Sequence, residues 1–126
     1  MSTKKFLSGN VTLAGTTLNT ENLCWNKHPT QKGVSIKHLI KGESTGNRVS
    51  CHLVKVEPGC EIAKHNHPGK EELHEVLEGC GSCQLEETRL DYTCGSIALL
   101  PADKDHAVKA GEKGLILMAK FFPALV

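Results

Sequence analysis

Residues 65–75, HNHPGKEELHE, concentrate side chains that can hold a metal ion or move a proton. His65 and His67 are separated by one residue. Positions i and i+2 share one face of a β-strand and diverge on a helix, so on a strand both imidazoles reach the same point. Pro68 and Gly69 then end the strand and let the chain turn. Glu71 or Glu72 opens the next strand, where a carboxylate can approach the two imidazoles. Two neutral nitrogens and one anionic oxygen suit iron, manganese, nickel or zinc. The competing reading is a polar loop whose histidines face water, and a fourth ligand from elsewhere in the fold would decide between the two. His74 shares strand parity with Glu72 and Val76. If Glu72 points inward, His74 does too and needs a partner. It is then a group behind a ligand, a substrate contact or a general base titrating near neutrality, and so the one candidate catalytic residue.

The elements that must position these groups read as strands. GVSIKHLI (33–40), RVSCHLVKV (48–56), CEIAKHNH (60–67), ELHEVLEG (72–79), SCQLEE (82–87), SIALLP (96–101), HAVKA (106–110) and LILMAKFF (115–122) are short, apolar or β-branched, and partly alternating. Turn signals bound them: PG, GCG, CGS, PADKD and GEKG. No segment of helical length shows a 3.6-residue period. Many short strands with regular turns predict an all-β sandwich or barrel over residues 33–126, preceded by an N-terminal arm at 1–32 with one or two short strands.

A chain of 126 residues is one domain, long enough to bury a core. A net charge of +1 without a basic stripe gives no argument for a nucleic-acid partner. No apolar run reaches membrane-span length, and MSTKKFLSGN carries charge without an apolar stretch behind it, so no membrane association and a cytoplasmic location are expected. In that setting the six cysteines are read as free thiols. The lone CGSC pair, Cys80 and Cys83, lacks the context of a redox or zinc site. His28, His38 and His52 have no ligand spacing and read as structural or surface groups. Asp103 and Asp105 read as turn formers. Trp25 reads as an anchor for the arm, on the barrel or at a dimer contact. Arg48 and Arg89, the only arginines, could bind an anionic substrate if either faced inward.

Two stretches resemble the motifs of the cupin superfamily. The first runs Gly59, five residues, His65, one residue, His67, four residues, Glu72, six residues, Gly79. The second runs Gly95, five residues, Pro101, then His106 five positions on. Asp103 stands where the family has glycine, and Ala110 where it has asparagine. The short gap at 80–94 is similar to that of small single-domain members. The resemblance implies a double-stranded β-helix, the jelly-roll barrel. It also implies one divalent transition metal ion held by His65, His67, Glu72 and His106, which chooses Glu72 over Glu71 and supplies the missing ligand. Family members with such sites carry out dioxygenation, isomerisation, decarboxylation and lyase chemistry. The expected function is therefore a metal-dependent enzyme acting on a small organic molecule. The alternative is a non-catalytic module that binds or senses a small molecule or metal. Small members are commonly homodimers, joined by sheet packing or by exchange of an N-terminal strand, so a homodimer is expected.

Overall fold

A computed structural model describes residues 4–126. A single helical turn, α1 (Lys4–Leu7), precedes ten strands: β1 (Asn10–Leu13), β2 (Thr16–Asn19), β3 (Asn26–Lys27), β4 (Val34–Ile40), β5 (Ser50–Val56), β6 (Glu61–His65), β7 (Glu71–Leu85), β8 (Thr88–Thr93), β9 (Ile97–Leu100) and β10 (His106–Phe122). The fold is an all-β jelly roll. Two long strands, β7 and β10, pair with each other along nearly their whole length and pass from one sheet to the other. In one sheet the first half of β10 lies between β6 and the second half of β7, with β8 outside. In the other, the second half of β10 lies between β5 and the first half of β7, flanked by β4 with β3 on one side and by β9 on the other.

The sequence signals place two turns where the chain runs straight on. Residues 72–79 and 82–85 are one strand, and so are 106–110 and 115–122, while Glu86 and Glu87, expected to end a strand, form the turn into β8. The glycines read as turns sit inside bends. The β7–β10 register shifts between Ala110 and Leu115, opposite Gly79 and Gly81. Gly79 has φ +81°, and a Cβ there would lie 2.0 Å from the Gly114 carbonyl oxygen. The backbones meet too closely for any side chain, and this lets the paired strands fold over without breaking the ladder. Gly79→Val should therefore cost about 3 kcal/mol or more, combining a clash with a strained φ; a denaturation midpoint equal to wild type would refute this account of the bend. Strand β8 was not among the expected strands: TRLDYT carries charge at two of six positions, and its burial is confined mainly to Tyr92.

Strand parity sets what faces inward. On β10, Leu115, Leu117, Ala119 and Phe121 are all buried; on β7, Glu72, His74 and Val76 are. Each fully buried aliphatic or aromatic side chain contributes about 1.5–3 kcal/mol of transfer free energy, which locks the register and with it the inward direction of Glu72 and His74. Residues before β4 are tied to the sheet. Asn26 and Lys27 pair with Ile36 and Ser35. The buried Lys37 amine donates to the Thr20 carbonyl, and the Lys37 and Lys55 amines lie 5.0 and 4.9 Å from the Trp25 ring. At the other end of the chain, the Leu125 amide donates to Ser50 Oγ and the Ala124 amide to the Asn47 carbonyl. No described helix is long and apolar enough to cross a membrane.

Candidate metal centre

The ladder brings the fourth predicted ligand to the first. His65, at the end of β6, pairs in register with His106, the first residue of β10. His67 follows in the turn that leads to β7, and Glu72 is the second residue of that strand. One ligand atom from each of the four lies within 4.8 Å of the others, so the group can hold a metal ion. Glu71 is exposed and outside the group. The His67 turn is clamped by the loop before β10: Asn66 Nδ2 donates to Asp105 Oδ1 at 2.8 Å, and the Gly69 amide donates to Asp103 Oδ1 at 3.0 Å. The two aspartates thus do more than shape their own turn; they hold the ligand-bearing turn in place. Asp103 has φ +64°, which accounts for a family glycine at that position and for aspartate, which tolerates left-handed backbone better than most residues, in its place.

Hydrogen bonds to backbone carbonyls set the tautomers. A carbonyl only accepts, so His65 Nδ1 donates to the Ala63 carbonyl at 2.8 Å and His106 Nδ1 leans on the Lys104 carbonyl at 3.4 Å. Both rings then present an Nε2 lone pair to the cluster, the arrangement metal-binding histidines adopt. His106 Nε2 lies 3.1 Å from Glu72 Oε1, yet neither atom has a hydrogen-bond partner, and both are buried. His67 Nε2 is 3.6 Å from the same oxygen. An imidazole lone pair and a carboxylate oxygen this close repel unless a positive centre sits between them. The donor set and its two orphaned atoms fit a divalent cation. Burial pulls the His65 and His67 pKa values down, leaving both neutral and ready to bind at pH 7. Burial alone would raise the Glu72 pKa; a positive centre shared with His106, and the hydrogen bond from His74, outweigh it and hold the carboxyl well below its usual range.

His74 lies behind the cluster and does not line the cavity described below. Its Nε2 donates to Glu72 Oε2 at 2.7 Å, because an ionised carboxylate only accepts. Its Nδ1 must then accept, and does so from the Tyr92 hydroxyl at 2.8 Å. Burial raises the Tyr92 pKa far above its ordinary value, with the Cys83 thiol beside it adding to the rise, so the hydroxyl keeps its proton. The pair pins one carboxylate oxygen and leaves Oε1 facing the histidines. Sequence reasoning missed Tyr92. The one available signal was its being the chain's only tyrosine, at an inward parity on a strand that was itself missed.

A cavity of about 360 Å³ opens beside the cluster, with His65, His67 and Glu72 in its wall. The rest of the wall is mainly apolar: Val34, Ile36, Val54, Ile62, Phe121 and Leu125. Phe121 stacks edge-on against His67, with ring centres 5.0 Å apart. A more open depression of about 560 Å³ between Lys64, Gln84, Glu86 and Asp105 includes none of the four clustered residues. Arg48 and Arg89 both lie outside the cavity; Arg48 Nε donates to the Thr45 carbonyl and Arg89 pairs with Asp91 on the surface. Cys80 is exposed and Cys83 buried, on opposite faces of β7, and all six cysteines are free thiols.

Next to Phe121, His52 is fully buried. Its ring bonds His38 Nδ1 and Ser50 Oγ, each at 2.8 Å. Burial, and then the neighbouring His38, pull its pKa down to about 4, against a smaller upward pull from Glu72. The unfolded chain therefore takes up this proton first as pH falls. The stabilisation is complete above about pH 6.5, is lost progressively towards pH 4, and amounts to about 3 kcal/mol. Unfolding free energies of metal-free protein across this window should show that slope, reduced in His52→Gln; an unchanged slope in the variant would remove His52 as its source.

The family model described as the ChrR cupin-like domain matches residues 14–124. A search of curated proteins finds no match. Solved structures share the fold at low identity. KdgF from Halomonas sp. is 20% identical over 84% of this chain and 92% of its own, with a TM-score of 0.72. A predicted oxalate decarboxylase from Thermotoga maritima is 20% identical over 82% and 95%, with a TM-score of 0.74. The polyketide cyclase RemF from Streptomyces resistomycificus is 18% identical over 87% and 80%, with a TM-score of 0.74.

Proposed function

The chain belongs to the family of ChrR cupin-like domains, and from that premise we propose that it is a metal-dependent enzyme acting on a small organic molecule. One observation carries the reading. Three residues of the four-residue cluster, His65, His67 and Glu72, form part of the wall of a mainly apolar cavity of ligand size, and the cluster holds two orphaned buried atoms. Iron, manganese, nickel or zinc would be held by His65, His67, Glu72 and His106. Once bound, such a metal supplies Lewis-acid polarisation of a coordinated oxygen and, if it is redox-active iron, access to dioxygen chemistry. The chain's own contribution is positional. Glu72 brings the single negative charge, backbone carbonyls orient His65 and His106, and Phe121 with its aliphatic neighbours keeps water from the reacting face.

A second reading, a module that binds or senses a ligand without turnover, draws on a different observation. Apart from the clustered residues, His28 is the only titratable group among the described residues in the cavity wall, so acid–base help is sparse. Metal content separates both readings from an idle barrel. Protein purified without tag or chelator should carry about one equivalent of one metal beyond what His65→Ala/His67→Ala carries; the variant keeps all six thiols and so controls for adventitious metal. No difference between the two would defeat the proposal. Turnover by the loaded protein against a substrate panel then chooses between enzyme and binding module.

We place a homodimer contact on the outer face of β9, where Ile97 and Leu99 are 70% and 54% exposed, side by side with the outward residues of β7. Light scattering of a monomer at micromolar concentration would exclude it.

A further inference from the structure

The cavity beside the cluster has two polar groups in an otherwise apolar wall. Its apolar wall is built by β4, β5, β6, β10 and the C-terminal tail. Among the described residues that line it there is no lysine or arginine, and the only carboxylate is Glu72, at the cluster. A second polar group in the wall is formed by His28 and Gln31, in the loop between β3 and β4. There the hydrogen bonds dictate the protonation. His28 Nδ1 accepts from the backbone amides of Thr30 and Gln31, at 3.2 and 3.1 Å, so in the neutral ring Nε2 carries the hydrogen. Gln31 Oε1 accepts from the Ala63 amide, which turns its Nε2 towards the imidazole. His28 Nε2 and Gln31 Nε2 thus stand 3.5 Å apart, and both are donors. Two donors side by side call for an acceptor from outside the pair.

We propose that the ligand of this cavity is a small molecule with an uncharged, mainly apolar body. A metal-coordinating oxygen head lies at the His65–His67–Glu72 end, and one neutral acceptor, a carbonyl or hydroxyl oxygen, lies between His28 and Gln31. The proposal rests on the metal-binding reading above and adds the ligand's class to it. A charge on that body is disfavoured by the same physics. Away from the metal, an anionic group meets no lysine or arginine in the described wall and gives up its hydration without return. Volume also limits the ligand, because about 360 Å³ is at the small end of ligand sites.

Zinc-loaded protein titrated calorimetrically with three probes tests this. The probes share a catechol head: 4-ethylcatechol, 3,4-dihydroxyacetophenone and 3,4-dihydroxybenzenesulfonate. The ketone and the sulfonate withdraw electrons from the head similarly but differ in charge. The expected order of affinity is ketone, then ethyl, then sulfonate, with the sulfonate at least tenfold weaker than the ketone. His28→Leu/Gln31→Leu should erase the advantage of ketone over ethyl. Leu125→Arg, a substitution in the half-buried tail, should recover sulfonate binding tenfold or more. Sulfonate binding as tight as the ketone, with zinc bound, overturns the ligand class and leaves the metal reading standing. Failure to bind zinc overturns both. An unchanged ketone preference in His28→Leu/Gln31→Leu overturns the role given to that pair.

Discussion

His74→Ala should lower metal affinity by about tenfold to a hundredfold, although His74 touches no metal and does not line the cavity. The side chain joins Tyr92 to Glu72 Oε2, and its removal frees the carboxylate to rotate and leaves two buried polar groups without partners. The cost to the metal-free fold should be about 3 kcal/mol, the upper range for an unsatisfied buried acceptor bearing charge. Tyr92→Phe makes the control. It keeps the imidazole but loosens its tautomer, so it should cost about 1–2 kcal/mol and reduce affinity less than His74→Ala does. Competition titration against a chromophoric zinc chelator measures both variants. Equal affinity in wild type and His74→Ala would show that Glu72 needs no support from behind. His74 is on this account a positioning residue, which narrows the three roles its strand parity left open.

Metal should also stabilise the fold strongly. The orphaned pair Glu72 Oε1 and His106 Nε2, both buried, is a local cost that a cation removes. Binding only to the native state at about a thousand times Kd adds about 4 kcal/mol. In a domain of this size that raises Tm by more than about 10 °C. Differential scanning calorimetry with and without zinc reads the shift, and His65→Ala/His67→Ala should abolish it. A wild-type Tm that zinc leaves unmoved would mean that the cluster is satisfied by protons, with the repulsion between the two atoms relieved by an imidazolium.

The class of fold and the candidate cluster were legible in the residues themselves, because both depend on local spacing. Short apolar or β-branched segments such as VSIKHLI and LILMAKFF, partly alternating and bounded by turn signals, mark strands whatever their partners are. The HxH and the carboxylate beyond Pro68 and Gly69 lie within one hairpin-sized segment, and motif resemblance added His106. Glycine is where local reading failed. A glycine that turns a chain and a glycine that lets two strands touch look the same in one dimension, so Gly79, Gly81, Gly111 and Gly114 read as turn residues between strands and are bends within β7 and β10.

Tertiary structure alone decided the rest, in each case because the partner is distant in sequence. That His106 faces His65 follows from the ladder between β6 and β10. That Asp103 and Asp105 clamp the His67 turn follows from two loops meeting at one end of the barrel. That His74 backs Glu72 required Tyr92, eighteen residues on, on a strand whose pattern is too polar to announce itself. Whether an arginine enters the cavity was a question of parity, and small errors in strand ends reverse parity. The fold answers it by leaving Arg48 in a turn and Arg89 on the surface, so the cavity wall holds no arginine. Alternation along a strand says that a side chain points in; only packing of the two sheets says what it meets there.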